Sequence, residues 1–531
     1  METFTSASDG GAGRRGRWWT LGVLALSVLV VGLDGTVLNV ALPTLTTALG
    51  AGTDDLQWIV DSYIVVFAVT LLPAGMLGDR HGRKRWLIAG LALFGLASAA
   101  AAYAGGVGPL VAARAVMGLG AALIMPLSMS VLPVVFDRAE RPRAISIWTV
   151  AVALGLPLGP VLGGYLLDHY WWGSIFLINI PIVAIAIVAA AVLLPESRDP
   201  AARPVDLLGA VLSVLGLGGL VYGVILAPVD GWDSAWPWVA GGLLALAAFG
   251  VRQARAAYPM LDLALFRDRG FLWGAIATTV ASFAMMGMLF VVPQYLSAAM
   301  GNDALGIGVR LLPLIGGMIV GARSGTRVAE RLGARVVVPA GLAIGAIGLA
   351  LGALTAPGDR YGWAALWFTV LGAGLGLAMP TAMDTVLAGL PEDRTGVGSG
   401  AVQSMRQVGG ALGVAILGSL LSTVYADRLD TSALPPDVAT PAEESVLVAV
   451  QIPGLGGPAG EAVGAFVAGM SRVLGVSAAL VLAGAVLCGV FLPSARRDRV
   501  IPDNPGPVPA GSAAGAESDH AGLDPSPARP A

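Results

Sequence analysis

Fourteen largely uncharged, apolar runs of roughly 20 residues follow one another along the chain, and this repetition limits its possible folds more than any other feature. Coiled as a helix rising ~1.5 Å per residue, a run of that length crosses the ~30 Å hydrocarbon layer of a bilayer. A water-soluble core would break such runs with charged surface. Composition agrees: 56% of residues are hydrophobic, only 12% are charged, and mean hydropathy is +0.79. The chain reads as an all-α polytopic membrane protein.

The runs predict helices near 19–42, 58–78, 86–105, 109–133, 143–167, 174–195, 206–227, 236–252, 272–297, 307–327, 335–355, 363–387, 400–424 and 470–492. Arginine and lysine orient them, because cytoplasmic connections carry the excess of positive charge. The clusters Arg14 to Arg17, Arg80 to Arg85, Arg138 to Arg143, Arg252 to Arg269, Arg323 to Arg335 and Arg496 to Arg499 fall on one side. The other side holds only Arg310, Arg360, Arg428 and Arg472, together with acids and aromatics such as Asp54, Asp55, Trp171, Trp172, Trp232 and Trp236. Both termini are therefore expected in the cytoplasm, with the protein in the inner membrane. The first run contains Asp34 and lacks a small-residue cleavage site, so it reads as a permanent span rather than a signal peptide. The stretch from 425 to 469 forms the longest outer connection, with a short interfacial helix or loop at 443–452. The tail 493–531 is rich in Pro, Ala, Gly and Ser and is expected to be disordered.

Several chemistries lack their residues. Cys488 is the only cysteine, so neither an intrachain disulfide nor a cysteine metal cluster can form. Lys84 is the only lysine and stands between Arg83 and Arg85, so the chain has neither a nucleotide-binding phosphate loop nor a Schiff-base lysine within a helix. His81, His169 and His520 all fall outside the apolar runs. No metal, cofactor, nucleotide or nucleic acid is expected, and no catalytic residue: the chain does not read as an enzyme.

Asp79-Arg80-His81-Gly82-Arg83 follows the second run, and Glu330-Arg331-Leu332-Gly333-Ala334-Arg335 follows the tenth, eight helices later. Two six-helix halves separated by two inserted helices would place equivalent loops at that interval, as in transporters built from repeats. The segment from Gly75 through Asp79, Arg80, Gly82 and Arg83 resembles the loop signature of the major facilitator superfamily. The resemblance implies a cytoplasmic gate in which acid and base pair between helices and glycines turn the loop. An ordinary positively charged loop would explain the arginines but not the spacing.

Ionisable groups inside a membrane are costly and usually functional. Asp34 lies in the outer half of the first helix and Arg114 about one and a half turns from the outer end of the fourth, at similar depth. Burial and a neighbouring arginine act in opposite directions on a carboxyl's hold on its proton, so small movements can switch it. A static pair that only orients two helices is the bland reading. In the fifth helix Gly155, Gly159 and Gly163 recur every four residues along one face, allowing close backbone approach, while Pro157 and Pro160 each remove a donor. Simple packing explains these glycines less well once the prolines are added. Gly32 to Pro43, the set Leu110, Arg114, Gly118 and Gly120, and Gly159-Pro160 with Gly163-Gly164 are similar to first-, fourth- and fifth-helix motifs of fourteen-span drug:proton antiporters of that superfamily. This resemblance implies the major facilitator fold as a 6+2+6 arrangement, proton coupling at Asp34 and Arg114, and an antiporter motif at Gly155, Gly159, Pro160, Gly163 and Gly164.

Asn39, Trp58, Tyr63, Trp148, Met285 and Met286 are candidate cavity residues, since adaptable and aromatic side chains suit a broad cargo range; each equally suits a lipid-facing position. The expected layout is a cytoplasmic segment 1–18, a six-helix bundle 19–195, inserted helices and linkers 196–270, a second bundle 271–492, and the tail. The expected function is a monomeric, proton-coupled antiporter exporting small organic molecules: drugs, antibiotics or secondary metabolites. The alternatives are an uptake symporter of the same fold and a non-transporting membrane sensor. Some members of the resembled family carry an acid in the tenth helix that favours dicationic drugs; this helix has no Asp or Glu and holds Arg310 and Arg323, so the resemblance implies that dications are poor substrates.

Overall fold

The computed structural model describes residues 14–493, except 138–139, 199–205, 258, 389–394, 433, 453–454 and 456–459. The expected tail beyond 493 and the first thirteen residues lie outside the described residues, as do the side chains of Pro157, Arg141 and Arg143.

The described chain is helical almost throughout: α1 Arg14–Leu49, α2 Thr53–His81, α3 Arg83–Ala102, α4 Val107–Val135, α5 Arg141–His169, α6 Ser174–Leu177, α7 Asn179–Leu193, α8 Leu207–Asp230, α9 Trp232–Arg255, α10 Arg269–Ala298, α11 Ala304–Arg310, α12 Leu312–Leu332, α13 Ala334–Ala353, α14 Tyr361–Ala388, α15 Thr395–Arg428, α16 Pro436–Glu444, α17 Val446–Ala449 and α18 Glu461–Phe491. One 3₁₀ turn, Leu263–Arg267, precedes α10. Among the described residues, twelve helical stretches are long and apolar enough to cross a membrane, counting Ser174–Leu193 and Ala304–Leu332 as one each. They become thirteen if the two arms of α2, bent by 51° at Pro73, form one span. The fourteen expected spans are thus matched only roughly; α5 occupies the place of the fifth.

Local sequence explains the junctions. Gly82, Gly231 and Gly333 have φ of 121°, 80° and 80°, a region that side chains rarely enter, and each joins two helices through a single residue. Gly82 and Gly333 belong to the repeated loop signature, so its two copies make the same kind of turn. Asp206, Asp268 and Asp303 cap α8, α10 and α11 by accepting from Gly209, Phe271 and Gly306 backbone N–H groups at 3.0, 2.8 and 2.8 Å.

The helices form two groups. In one, α1 lies along α5, α2 along α4, and α3 against α4 and α7; in the other, α10 lies along α15, α12 along α14, and α13 against α14 and α18. The inserted α8 and α9 pair with each other, and α8 also touches both α2 and α15.

The groups approach closely at the end opposite the Gly82 and Gly333 turns. A methyl added at Gly418 would lie 2.6 Å from Gln57 Nε2, and one at Gly410 would lie 3.1 Å from Met286 Cγ and 3.9 Å from Ile64 Cγ2. Farther out, Gly308 abuts the Pro160 backbone, Gly164 abuts Ala304 and Leu305, and Asp168 Oδ2 accepts from Leu305 N at 3.2 Å. Ser419 Oγ donates to the Val224 carbonyl at 2.9 Å, tying α15 to α8.

The connection from α15 to α18 also reaches across this end. It contains α16 and α17, so the expected short helix at 443–452 is two shorter ones beginning earlier, and α18 begins at Glu461 rather than near 470. Thr53 Oγ1 donates to the Glu444 carbonyl at 2.7 Å, and Tyr425 donates to the Ala442 carbonyl at 2.9 Å. Val446, Leu447 and Ala449 are buried, with α17 packed on α1 and α10.

Candidate functional site

Asp34 and Arg114 are 0% and 1% exposed, and Arg114 Nη1 meets Asp34 Oδ2 at 2.6 Å. Four helices hold this pair, with Asp34 on α1. Arg114, on α4, also donates through Nε to the Ile59 carbonyl of α2 at 3.3 Å, and its guanidinium carbon sits 4.2 Å from the Tyr63 ring centroid. Asp34 accepts a second bond through Oδ1, from Asn179 Nδ2 of α7 at 3.2 Å. Asn179 Nδ2 also lies 3.2 Å from Ser98 Oγ, which carries the network to α3. A buried ion pair is held firmly only when its remaining donors and acceptors are satisfied; here both carboxylate oxygens have partners.

The close fit of α1 on α5 fixes the depth of Asp34. A methyl on Gly155 would fall 2.6 Å from Leu33 N, one on Gly159 would fall 2.9 Å from Val37 N, and one on Gly163 would fall 2.6 Å from Val37 Cγ2. Thr36 Oγ1 bonds the Gly155 carbonyl across the crossing at 3.1 Å. The neighbouring face of α5, about a quarter turn round, carries Pro160 and Gly164 to α11. The glycine motif therefore serves two contacts, one inside its own helix group and one between groups.

At the other end, Asp79 Oδ1 accepts from Arg83 Nε at 2.7 Å across the α2–α3 turn. Gly82 and Gly75 fit beside Glu196 and Pro126, while Arg80 is exposed. Arg83 N donates to the Ser197 carbonyl at 2.9 Å, and Arg85 lies 3.4 Å from Glu196. These recorded partners belong to the segment following α7, in the same helix group.

The cavity candidates are dispersed. Asn39 is buried and bonds the Gly35 carbonyl of its own helix at 3.4 Å; Trp58 packs on Tyr222 of α8, with centroids 5.7 Å apart; Tyr63 lies against Arg114; Trp148 Nε1 donates to Ser128 Oγ at 3.1 Å. Met285 is buried, whereas half-buried Met286 reaches Gly410 at the seam between α2, α10 and α15.

A second acid, Asp61, lies on α2. Asp61 is 0% exposed, and neither carboxylate oxygen has a hydrogen-bond partner. It shares a face of α2 with Gln57 and Ile64, four residues before it and three after, so it lies in the seam with α15. An acid on the contact face next to Gln57 was the available signal. Asn179 gave none, since a single amide within an apolar run has many possible partners. Among the described residues no group of three or more His, Cys, Asp or Glu side chains is arranged to hold a metal.

Buried charge at mid-helix, two helix groups and a seam closed at one end are what an alternating-access carrier requires. The model of the Major Facilitator Superfamily matches residues 24–414, and the chain belongs to that family. It is 35% identical over 522 residues to the tetracenomycin C resistance and export protein of Streptomyces glaucescens, covering 94% of this chain and 96% of that one. It is 34% identical over 485 residues to the multidrug efflux pump LfrA of Mycolicibacterium smegmatis, covering 89% and 96%. Among solved structures, a bacterial homologue of the human lysosomal transporter Spinster, inward-facing and unoccupied, matches with a TM-score of 0.66 at 15% identity, covering 91% of this chain and 98% of that one. A D-xylose-proton symporter matches at 0.60 and 13%, covering 90% and 98%. These structures share the fold. The protein is a multi-pass membrane transporter, not an enzyme.

Proposed function

We propose that this transporter is a proton-coupled antiporter exporting small organic molecules, such as drugs, antibiotics or secondary metabolites, across the cytoplasmic membrane as a monomer. The buried Asp34–Arg114 pair carries the reading, because ionisable groups deep within membrane helices are costly to bury and mark proton or substrate pathways. The export-protein names of the relatives support the direction. In this reading both termini and the Gly82 and Gly333 turns face the cytoplasm, and residues 19–195 and 271–492 are the two rocking halves. The closed end then faces outward, and the loop at Asp79 and Arg83 is the inner gate.

Asp34 binds a proton when the site opens outward and releases it inward, with Arg114 as the alternating counter-charge and the Asn179 amide holding the carboxyl in place. Asp61 is the second carboxyl within reach of this cycle. The test is substrate-induced proton release from purified protein, alongside export from vesicles under an imposed pH gradient. Asp34→Asn should abolish both while leaving the protein inserted. Equal proton release from wild type and Asp34→Asn would transfer the role to Asp61; uphill export surviving collapse of the gradient would refute proton coupling. Substrate uptake in the direction of proton flow would favour a symporter.

A further inference from the structure

We infer that Arg406 binds an anionic group on the transported molecule, so that the cargo is an organic anion such as an aromatic carboxylate or phenolate. The inference rests on the transport reading above and adds the charge class of the cargo.

Arg406 lies on α15, where Nη1 donates to Gln403 Oε1 at 3.1 Å and buried Nε has no hydrogen-bond partner. None of the ion pairs among the described residues includes it. Arg114, by contrast, has a carboxylate, a carbonyl and an aromatic face. A guanidinium inside a membrane protein keeps its charge and needs compensation from a counter-charge or water.

Position indicates what supplies it. Gln403, Arg406 and Gly410 fall on one face of α15 at spacings of three and four residues. Gly410 faces Ile64 of α2 and Met286 of α10, and the other close approaches between the groups lie beyond it, at Gln57–Gly418, Pro160–Gly308 and Gly164–Ala304. Arg406 is one turn to the other side of Gly410, toward the end of the Gly82 and Gly333 turns, and its side chain is only half-buried. A guanidinium with an unused N–H beside a glutamine amide is suited to a planar oxyanion. A cation at the same place would meet repulsion.

The test compares two dyes with the same xanthene ring system and opposite charge, fluorescein and rhodamine 123, by fluorescence polarisation on the purified full-length protein without a pH gradient. Arg406→Gln should weaken fluorescein binding at least tenfold and leave rhodamine 123 within about twofold; Arg406→Lys should retain part of the fluorescein affinity. Unchanged fluorescein affinity in Arg406→Gln, equal loss of both dyes, or no fluorescein binding by wild type would overturn the assignment. Should Arg406→Gln fail to fold, Arg406→Lys decides: a selective partial loss supports anion recognition and no change overturns it. Because binding is read without a gradient, failure of proton-driven export would leave this result standing, and the reverse also holds.

Discussion

Two carboxyls, Asp34 and Asp61, are equally buried and differ in company: one has an arginine and an amide, the other no hydrogen-bond partner. That difference predicts how substitutions behave. Removing one member of a buried ion pair leaves an uncompensated charge and costs about 3–5 kcal/mol, whereas removing both together is far less damaging. Arg114→Gln should therefore lower the melting temperature of the solubilised protein strongly, and Arg114→Gln with Asp34→Asn should recover most of the loss. Thermal unfolding of the four-member cycle measures this, and additive losses would show that the two side chains do not depend on each other. The pair was legible in the sequence because a charge within an apolar run announces itself, and two such charges at matching depth suggest partnership. Its surroundings were hidden, because Ser98 and Asn179 become partners of the pair only when α7 packs against both α1 and α3.

At the scale of elements, spans read from hydropathy appear as helices in the right order, but their ends shift where capping and tertiary packing act. α18 starts earlier than its apolar run because its first turns pack into the protein: Ala462, Val463, Ala465 and Phe466 are buried. The α16–α17 segment was hardest to read, since its helices are short and depend on docking rather than propensity. That docking carries a pH dependence. Partial burial pushes the Glu444 carboxyl above the usual carboxylate range, and Asp54, Asp55 and Glu443 add to the effect. The docked segment thus holds the proton more tightly than an undocked one, so docking is strongest at acid pH and weakens as pH rises through the raised value. Deuterium uptake at 436–449, corrected for intrinsic exchange, should increase with pH, and Glu444→Gln should flatten the profile. A flat profile in wild type would show that these acids do not control docking.

For the whole molecule, the repeated glycine turn and the order of the runs made a two-group transporter legible before any contact was known. The side on which the groups close was not legible, because it depends on Pro160 meeting Gly308 and Asp168 meeting Leu305 across residues far apart in sequence. If those contacts open in every cycle, linking them covalently must stop transport. In a Cys488→Ser background, Asp168→Cys with Leu305→Cys should cross-link on oxidation and lose export, with recovery on reduction. Full export by the cross-linked protein would mean that this end does not open.

The glycine-lined crossing of α1 and α5 has a mechanical consequence. With backbone set against backbone from Gly155 to Gly163, little side-chain padding remains to absorb relative sliding, and the two helices behave as one stiff crank. Asp34 is mounted on one rod of that crank, and Pro160 with Gly164 forms the bearing surface on the other. In the proposed cycle, a force generated at Asp34 is therefore delivered to the far closure directly, with no train of side chains between them.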